Sequence, residues 1–248
     1  MINILFEDNA IIAIDKPSGI TVNKADTTKG ELTIQDWAEE KLHIENGKPR
    51  LHTDNRQNEE QYSDFYNRGG IVHRLDKETS GVLLIGKNPE AFINLQQQFK
   101  QRVIKKTYLT LAHGKVKPET GEINVPIGRL PWNRRQFGVV AGGRDSLTKY
   151  AVKEIKFYKT FKEFLSFVEV YPETGRTHQI RVHLKYLGYP IFADFLYAGR
   201  KTQRNDRKYL QRVFLHASRI SFLHPESNKF LHLESVLPEE LSQILKYE

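Results

Sequence analysis

The chain has 248 residues, 39% hydrophobic and 27% charged, a composition of folded globular proteins that argues against a wholly disordered one. It has no cysteine, which excludes disulfides, thiolate nucleophiles and cysteine-ligated zinc or iron–sulfur centres. With 38 Lys and Arg against 30 Asp and Glu, the formal charge is +8, a balance that favours polyanionic partners through counterion release without identifying one.

The opening INILFEDNAIIAID reads as two short strands around the turn-like EDNA, ended by Pro17 and Gly19. No basic leader precedes it, and no apolar run in the chain approaches the length of a membrane span, so the expected location is the cytoplasm, with no membrane contact. In LTIQDWAEEKLHI, Ile34, Trp37, Ala38, Lys41 and Leu42 follow helical spacing, and Thr33 stands where a cap belongs. Residues 46–70 are rich in Asn, Gln, Asp, Glu and Gly and lack an apolar period, which predicts a polar surface excursion.

GGIVHRLDKETSGVLLIGKN follows, with Asp76 between Arg74 and Lys77, glycines at 70 and 81, and a buried-strand pattern in VLLIG. Nearby cations favour the ionised form of Asp76, which suits a nucleophile or a base. A charged turn before a strand explains the same local pattern. NPEAFINLQQQF then predicts a helix, with Asn88 as cap, Pro89 at the first position and Phe92, Leu95 and Phe99 on one face.

TYLTLAHG, SLTKYAVKEIKFY and FLSFVEVY alternate as strands, antiparallel at least in part. Tyr108 lies on the first of these behind Lys105 and Lys106, where an aromatic is ordinarily a packing residue. TGRTHQIRVHLKYLGYP predicts a helix with Ile180, Leu184 and Leu187 on one stripe, stopped by Gly188 and Pro190. Arg181 lies off that stripe, so it can point at something anionic, and Arg176 is close by. His178 and His183 are five apart with no acid or cysteine to complete a tetrahedral set, so they read as hydrogen-bonding histidines and no metal is expected. RKTQRNDRKYLQR, residues 200–212, holds six cations and one acid; a solvated face is the plain reading. Helices and strands alternate without repeat or linker, so one α+β domain over residues 1–248 is expected.

HRLDKETSGVLLIGKN followed by TGRTHQIRVHLKYLGYPIFAD resembles the RluA-type family of RNA pseudouridine synthases. EDNAIIAIDKPSGITV, KTYLTLAHG and LHASRISFLHPESNKFLHLESVLPEEL extend the resemblance over most of the chain in the family's order. It implies a catalytic domain around a mixed, largely antiparallel sheet with flanking helices and a central active-site cleft. It implies that Asp76 is the catalytic aspartate acting at the ribose of a uridine. Tyr108 matches the active-site tyrosine, and Arg181 the arginine that pairs with the aspartate. Arg74 matches the arginine that enters the RNA stack as the uridine leaves it, and Leu215 an apolar residue against the base. His73, Lys77 and Arg176 complete the expected RNA-contacting set.

The implied partner is ribosomal or transfer RNA, and the isomerisation needs no cofactor, since nothing is oxidised or lost. Whether the carboxylate attacks C1′ or removes a ribose proton stays open. No separate N-terminal RNA-binding module is expected, so the catalytic domain and its basic loops must grip the RNA as a monomer. Ala198 in ADFLYAGR departs from the family's usual Tyr-Gly. A binding protein without chemistry needs basic and aromatic surface but no acid–arginine pair. A metal-dependent nuclease needs clustered carboxylates, which are missing around the histidines.

Overall fold

A computed structural model of the chain describes residues 2–45, 48–49 and 59–248. Strands β1 (Asn3–Glu7) and β2 (Ile11–Lys16) pair antiparallel as the sequence predicts. Asp8 closes their turn, its Oδ1 accepting from the amides of Ala10 (2.8 Å) and Ile11 (2.9 Å). Helix α1 (Ile34–Lys41) starts at a capping box in which Thr33 Oγ1 accepts from the Asp36 amide and Asp36 Oδ2 from the Thr33 amide.

Two-residue strands β3 (Ile44–Glu45) and β4 (Lys48–Pro49) pair next, followed by helix α2 (Glu59–Asn67). The polar excursion expected over 46–70 therefore ends in ordered structure; residues 46–47 and 50–58 lie outside the described residues. The pattern hides α2 because Phe65 is its one buried apolar side chain, with Tyr66 half-buried beside it. Strand β5 (Ser80–Gly86) is buried along its whole length. Helix α3 (Pro89–Lys100) is capped by Asn88, whose Oδ1 accepts from the Ala91 amide at 2.8 Å.

The remaining strands are β6 (Lys105–His113), β7 (Thr120–Asn124), β8 (Ile127–Leu130), β9 (Asn133–Val139), β10 (Leu147–Tyr158) and β11 (Glu163–Pro172). Helices α4 (Gln179–Tyr186) and α5 (Arg200–Asp206) precede β12 (Leu215–Leu223), β13 (Phe230–Glu234) and helix α6 (Glu239–Lys246). The α+β class expected from the sequence is the one observed. None of the described helices is long and apolar enough to cross a membrane.

The chain forms two compact units. The first comprises Met1–Ile104 and Ile220–Ser235. Its strands run β1-β2-β5-β12, with β13 on β12, and β2 is antiparallel to both neighbours. Ile11, Val82, Leu84, Phe92, Ile220 and Phe222 form its core. The second comprises Lys105–Arg219 and Val236–Glu248. Its strands run β12-β6-β11-β10-β7, antiparallel from β6 onward, around Leu111, Val168, Leu184, Phe192, Phe214 and Leu241. Strands β8 and β9 form a separate antiparallel pair in this unit.

Candidate active site

In the first unit, the segment leading to Asp76 is pinned at both ends by glycine. Gly70 has φ +73°, and a Cβ there would lie 2.2 Å from the Gly86 carbonyl oxygen, so only glycine fits. Gly81 has φ +114° where the chain turns into β5. Between them Ile71, Val72 and Leu75 are buried, Arg74 and Lys77 are exposed, and Asp76 is half-buried. The Thr79 amide donates to the Asp76 carbonyl at 3.0 Å, so Asp76 opens a tight turn.

That turn is gripped by the KPSG segment. Lys16 has no exposed surface, and its ammonium donates to the carbonyls of Pro17 (2.8 Å), Ile20 (2.8 Å) and Lys77 (3.2 Å). The Gly19 amide donates to the same Lys77 carbonyl at 2.8 Å, and the Ser18 hydroxyl to the Glu78 carbonyl at 2.9 Å. A buried ammonium is tolerable only when hydrogen-bonded, so Lys16 is fixed by the carbonyls it holds and fixes the residues after Asp76 in return. Lys77 itself reaches Glu31 at 2.8 Å. His73 is half-buried, its Nε2 accepting from the Leu84 amide at 2.9 Å and its ring 4.8 Å from that of Phe99.

In the second unit, Tyr108 lies opposite Val170 of β11, half-buried against the core. Lys106 shares its strand face and donates to the Thr174 carbonyl at 3.3 Å. Burial pulls the Lys106 ammonium down to about 8, Lys105 pulling the same way and Glu173 opposing. Thr174 begins the turn that enters α4, and Gln179 organises that turn. Gln179 Oε1 accepts from the Thr174 hydroxyl (2.7 Å) and the Arg176 amide (2.9 Å), while Nε2 donates to the Leu147 carbonyl (3.0 Å). Arg176 Nε donates to the Asp145 carbonyl at 3.1 Å.

Arg181 is 4% exposed, and its fork closes on a carboxylate that is wholly buried: Nε to Asp194 Oδ2 at 2.7 Å and Nη2 to Asp194 Oδ1 at 2.8 Å. Asp194 Oδ1 also accepts from the amides of Leu196 (3.0 Å) and Tyr197 (3.2 Å). The Tyr197 ring lies 5.1 Å from the guanidinium, and its hydroxyl accepts from the Phe137 amide and pairs with His178 Nδ1 at 2.8 Å. His183 pairs with the Thr148 hydroxyl and the Val125 carbonyl, and burial lowers its pKa. Both histidines are thus tied by hydrogen bonds, as expected. Leu215 is 4% exposed and belongs to the second unit's core.

The structure therefore gathers His73, Arg74, Asp76 and Lys77 on one clamped segment, and Tyr108, Arg176, Arg181 and Leu215 around β6, α4 and the start of β12. Sequence reasoning sets Arg181 against Asp76 and gives no role to Lys16, Gln179 or Asp194. The available signals are slight: a lysine closing an apolar strand before Pro-Ser-Gly, and a lone acid inside the apolar run YPIFADFLY.

A family model described as RNA pseudouridylate synthase matches residues 10–186, a span that takes in Asp76, Tyr108 and Arg181. A Chloroflexus aurantiacus protein described as an uncharacterized RNA pseudouridine synthase is 42% identical over 72% of this chain and 53% of its own. The ribosomal large subunit pseudouridine synthase D of Nitrosomonas europaea is 35% identical over 99% of this chain and 64% of its own. The chain thus spans between half and two thirds of the length of these relatives. The solved structure of human RNA Pseudouridylate Synthase Domain Containing 1, at 24% identity, covers 99% of this chain and 94% of its own with a TM-score of 0.67, a likeness of fold. The chain belongs to the RNA pseudouridylate synthase family, and within it to the RluA type that its motifs resemble.

Proposed function

We propose that this chain isomerises uridine to pseudouridine in structured RNA, acting as a cytoplasmic monomer without a cofactor. The N1–C1′ bond breaks, the uracil turns, and a C5–C1′ bond forms. The C5 proton is released and N1 gains one, so the reaction balances without an oxidant. Asp76 serves as the ionised carboxylate at the ribose, by attack on C1′ or removal of a ribose proton. Arg181 is assigned as its counter-ion, oriented by Asp194. Tyr108 offers its ring to the uracil, and exposed Arg74 fills the gap that a flipped base leaves. Lys77 and Arg176 are assigned to the RNA backbone, and His73 and Leu215 to shaping the site.

The observation that carries this reading is the placement of Asp76 on a turn fixed by Gly70, Gly81 and Lys16, inside the stretch shared with the family. Ribosomal RNA is favoured over transfer RNA by the name of the Nitrosomonas europaea relative. The test is tritium release from RNA labelled at uridine C5. Asp76→Ala is expected to lower the rate at least about 100-fold. Release undiminished in that variant, or pseudouridine absent from every RNA tested with the wild type, overturns the proposal.

A further inference from the structure

The run from Phe195 to Arg212 contains six cations and a single acid, and the structure sorts them into two sets. Asp206 is buried, its Oδ2 pairing with His113 Nε2 (3.0 Å) and accepting from the Ala193 amide (3.0 Å). Arg207 donates through Nε to the Ala193 carbonyl at 2.8 Å and through Nη1 to the Gln211 carbonyl. Arg212 is buried against the Val213 and Leu215 carbonyls, with Nη1 3.0 Å from Glu240. These three residues tie the run to the second unit. The other four, Arg200, Lys201, Arg204 and Lys208, are exposed, and among the described residues no carboxylate lies within salt-bridge reach of them. With the run's only acid turned inward, the charges on the outer face of α5 and its C-terminal extension are all positive.

Phe195 adds an aromatic to this surface. It is 51% exposed, one residue from Asp194, and the Arg207 guanidinium lies 5.3 Å from its ring centroid. Arg207, itself held by two carbonyls, lies over one face of the ring and braces it. An exposed, braced aromatic beside unneutralised cations is what single-stranded nucleic acid needs: a π-face for a base and charge for its phosphates. A protein partner seeking the phenyl ring alone would meet four cations with no acid to offset them.

We infer that Phe195 and the exposed cations of α5 form an RNA-docking surface, at which an unpaired base stacks on Phe195 while Arg200, Lys201, Arg204 and Lys208 take phosphates. The inference rests on RNA as the substrate and assigns part of its grip to a surface outside the residues that perform the isomerisation.

The test uses the full chain, a fluorescein-labelled RNA hairpin with a loop of unpaired uridines, and the matching blunt duplex, with anisotropy read across a KCl series. Phe195→Ala is expected to weaken hairpin binding about tenfold with little change on the duplex, and Phe195→Trp to restore it. Arg200→Glu/Arg204→Glu is expected to lower the slope of log affinity against log salt by about 1–2. Wild-type affinity and wild-type salt slope in these variants overturn the inference. Tritium release by the wild type, measured in parallel, separates it from the proposed activity. Release with unaltered variant binding sinks the docking surface alone; no release from any RNA, with weakened variant binding, sinks the activity and leaves the surface standing.

Discussion

Arg181 and Asp194 show how much one buried pair can hold. Asp194 takes two of the five guanidinium N–H groups and two backbone amides, so its removal takes four hydrogen bonds from a dry site that holds a cation. Asp194→Ala is expected to cost about 3–5 kcal/mol in urea unfolding, and Arg181→Met/Asp194→Leu, which removes both charges, distinctly less. Equal losses in the two variants would show that packing, not charge, sets the cost. At this scale the sequence reports residue type and spacing but not burial. Asp76 and Arg181 stand out because glycines and a motif surround them. Lys16 and Asp194 look like ordinary polar residues until the chain closes over them, since their partners are carbonyls and a guanidinium brought in by folding.

Elements whose causes are local were legible. The β1–β2 turn, α1 and α3 follow from Asp8, Thr33 and Asn88, each acting within three residues. Helix α2 was not legible, because its burial rests on Phe65 and on packing supplied from elsewhere in the first unit. The attachment of α5 is equally non-local: His113 on β6 stacks on Phe192 at 5.6 Å and bridges Glu163 of β11 (3.1 Å) and Asp206 of α5 (3.0 Å). Burial alone would lower the pKa of His113, but the hydrogen bonds to Asp206 and Glu163 outweigh it and raise the imidazole to about 9. A folded-state value above the unfolded one means that the imidazolium's contribution is complete below about pH 6.5 and is lost as pH rises through 9. Lys106, held low, works in the opposite sense at higher pH, its penalty fading from about 8 upward. The expected outcome is a stability difference between wild type and His113→Gln that shrinks by about 3 kcal/mol between pH 6 and 9, read by denaturant titration at each pH. A difference that stays constant or grows over this range would mean that the clasp does not favour the imidazolium.

At the scale of the whole molecule, the order of motifs identified the family, whereas the partition into units could not be read. Neither unit is contiguous in the chain. The first takes Ile220 and Phe222, 2% and 0% exposed, from β12, far from the rest of its core in sequence. A fragment of residues 1–104 therefore lacks part of its own core and is expected to show no cooperative thermal transition by circular dichroism. A fragment in which a short linker joins residues 220–235 to it is expected to regain one. A sharp transition in the shorter fragment would show those two side chains to be dispensable.

Val72 and Val82, which flank the Asp76 turn, pack in that same core. During synthesis, residues 220–235 leave the ribosome after residues 1–104 and all of 105–219. The turn bearing Asp76 consequently has no finished bed until residues 220–235 have also emerged, and a nascent chain shorter than that carries the turn unsupported.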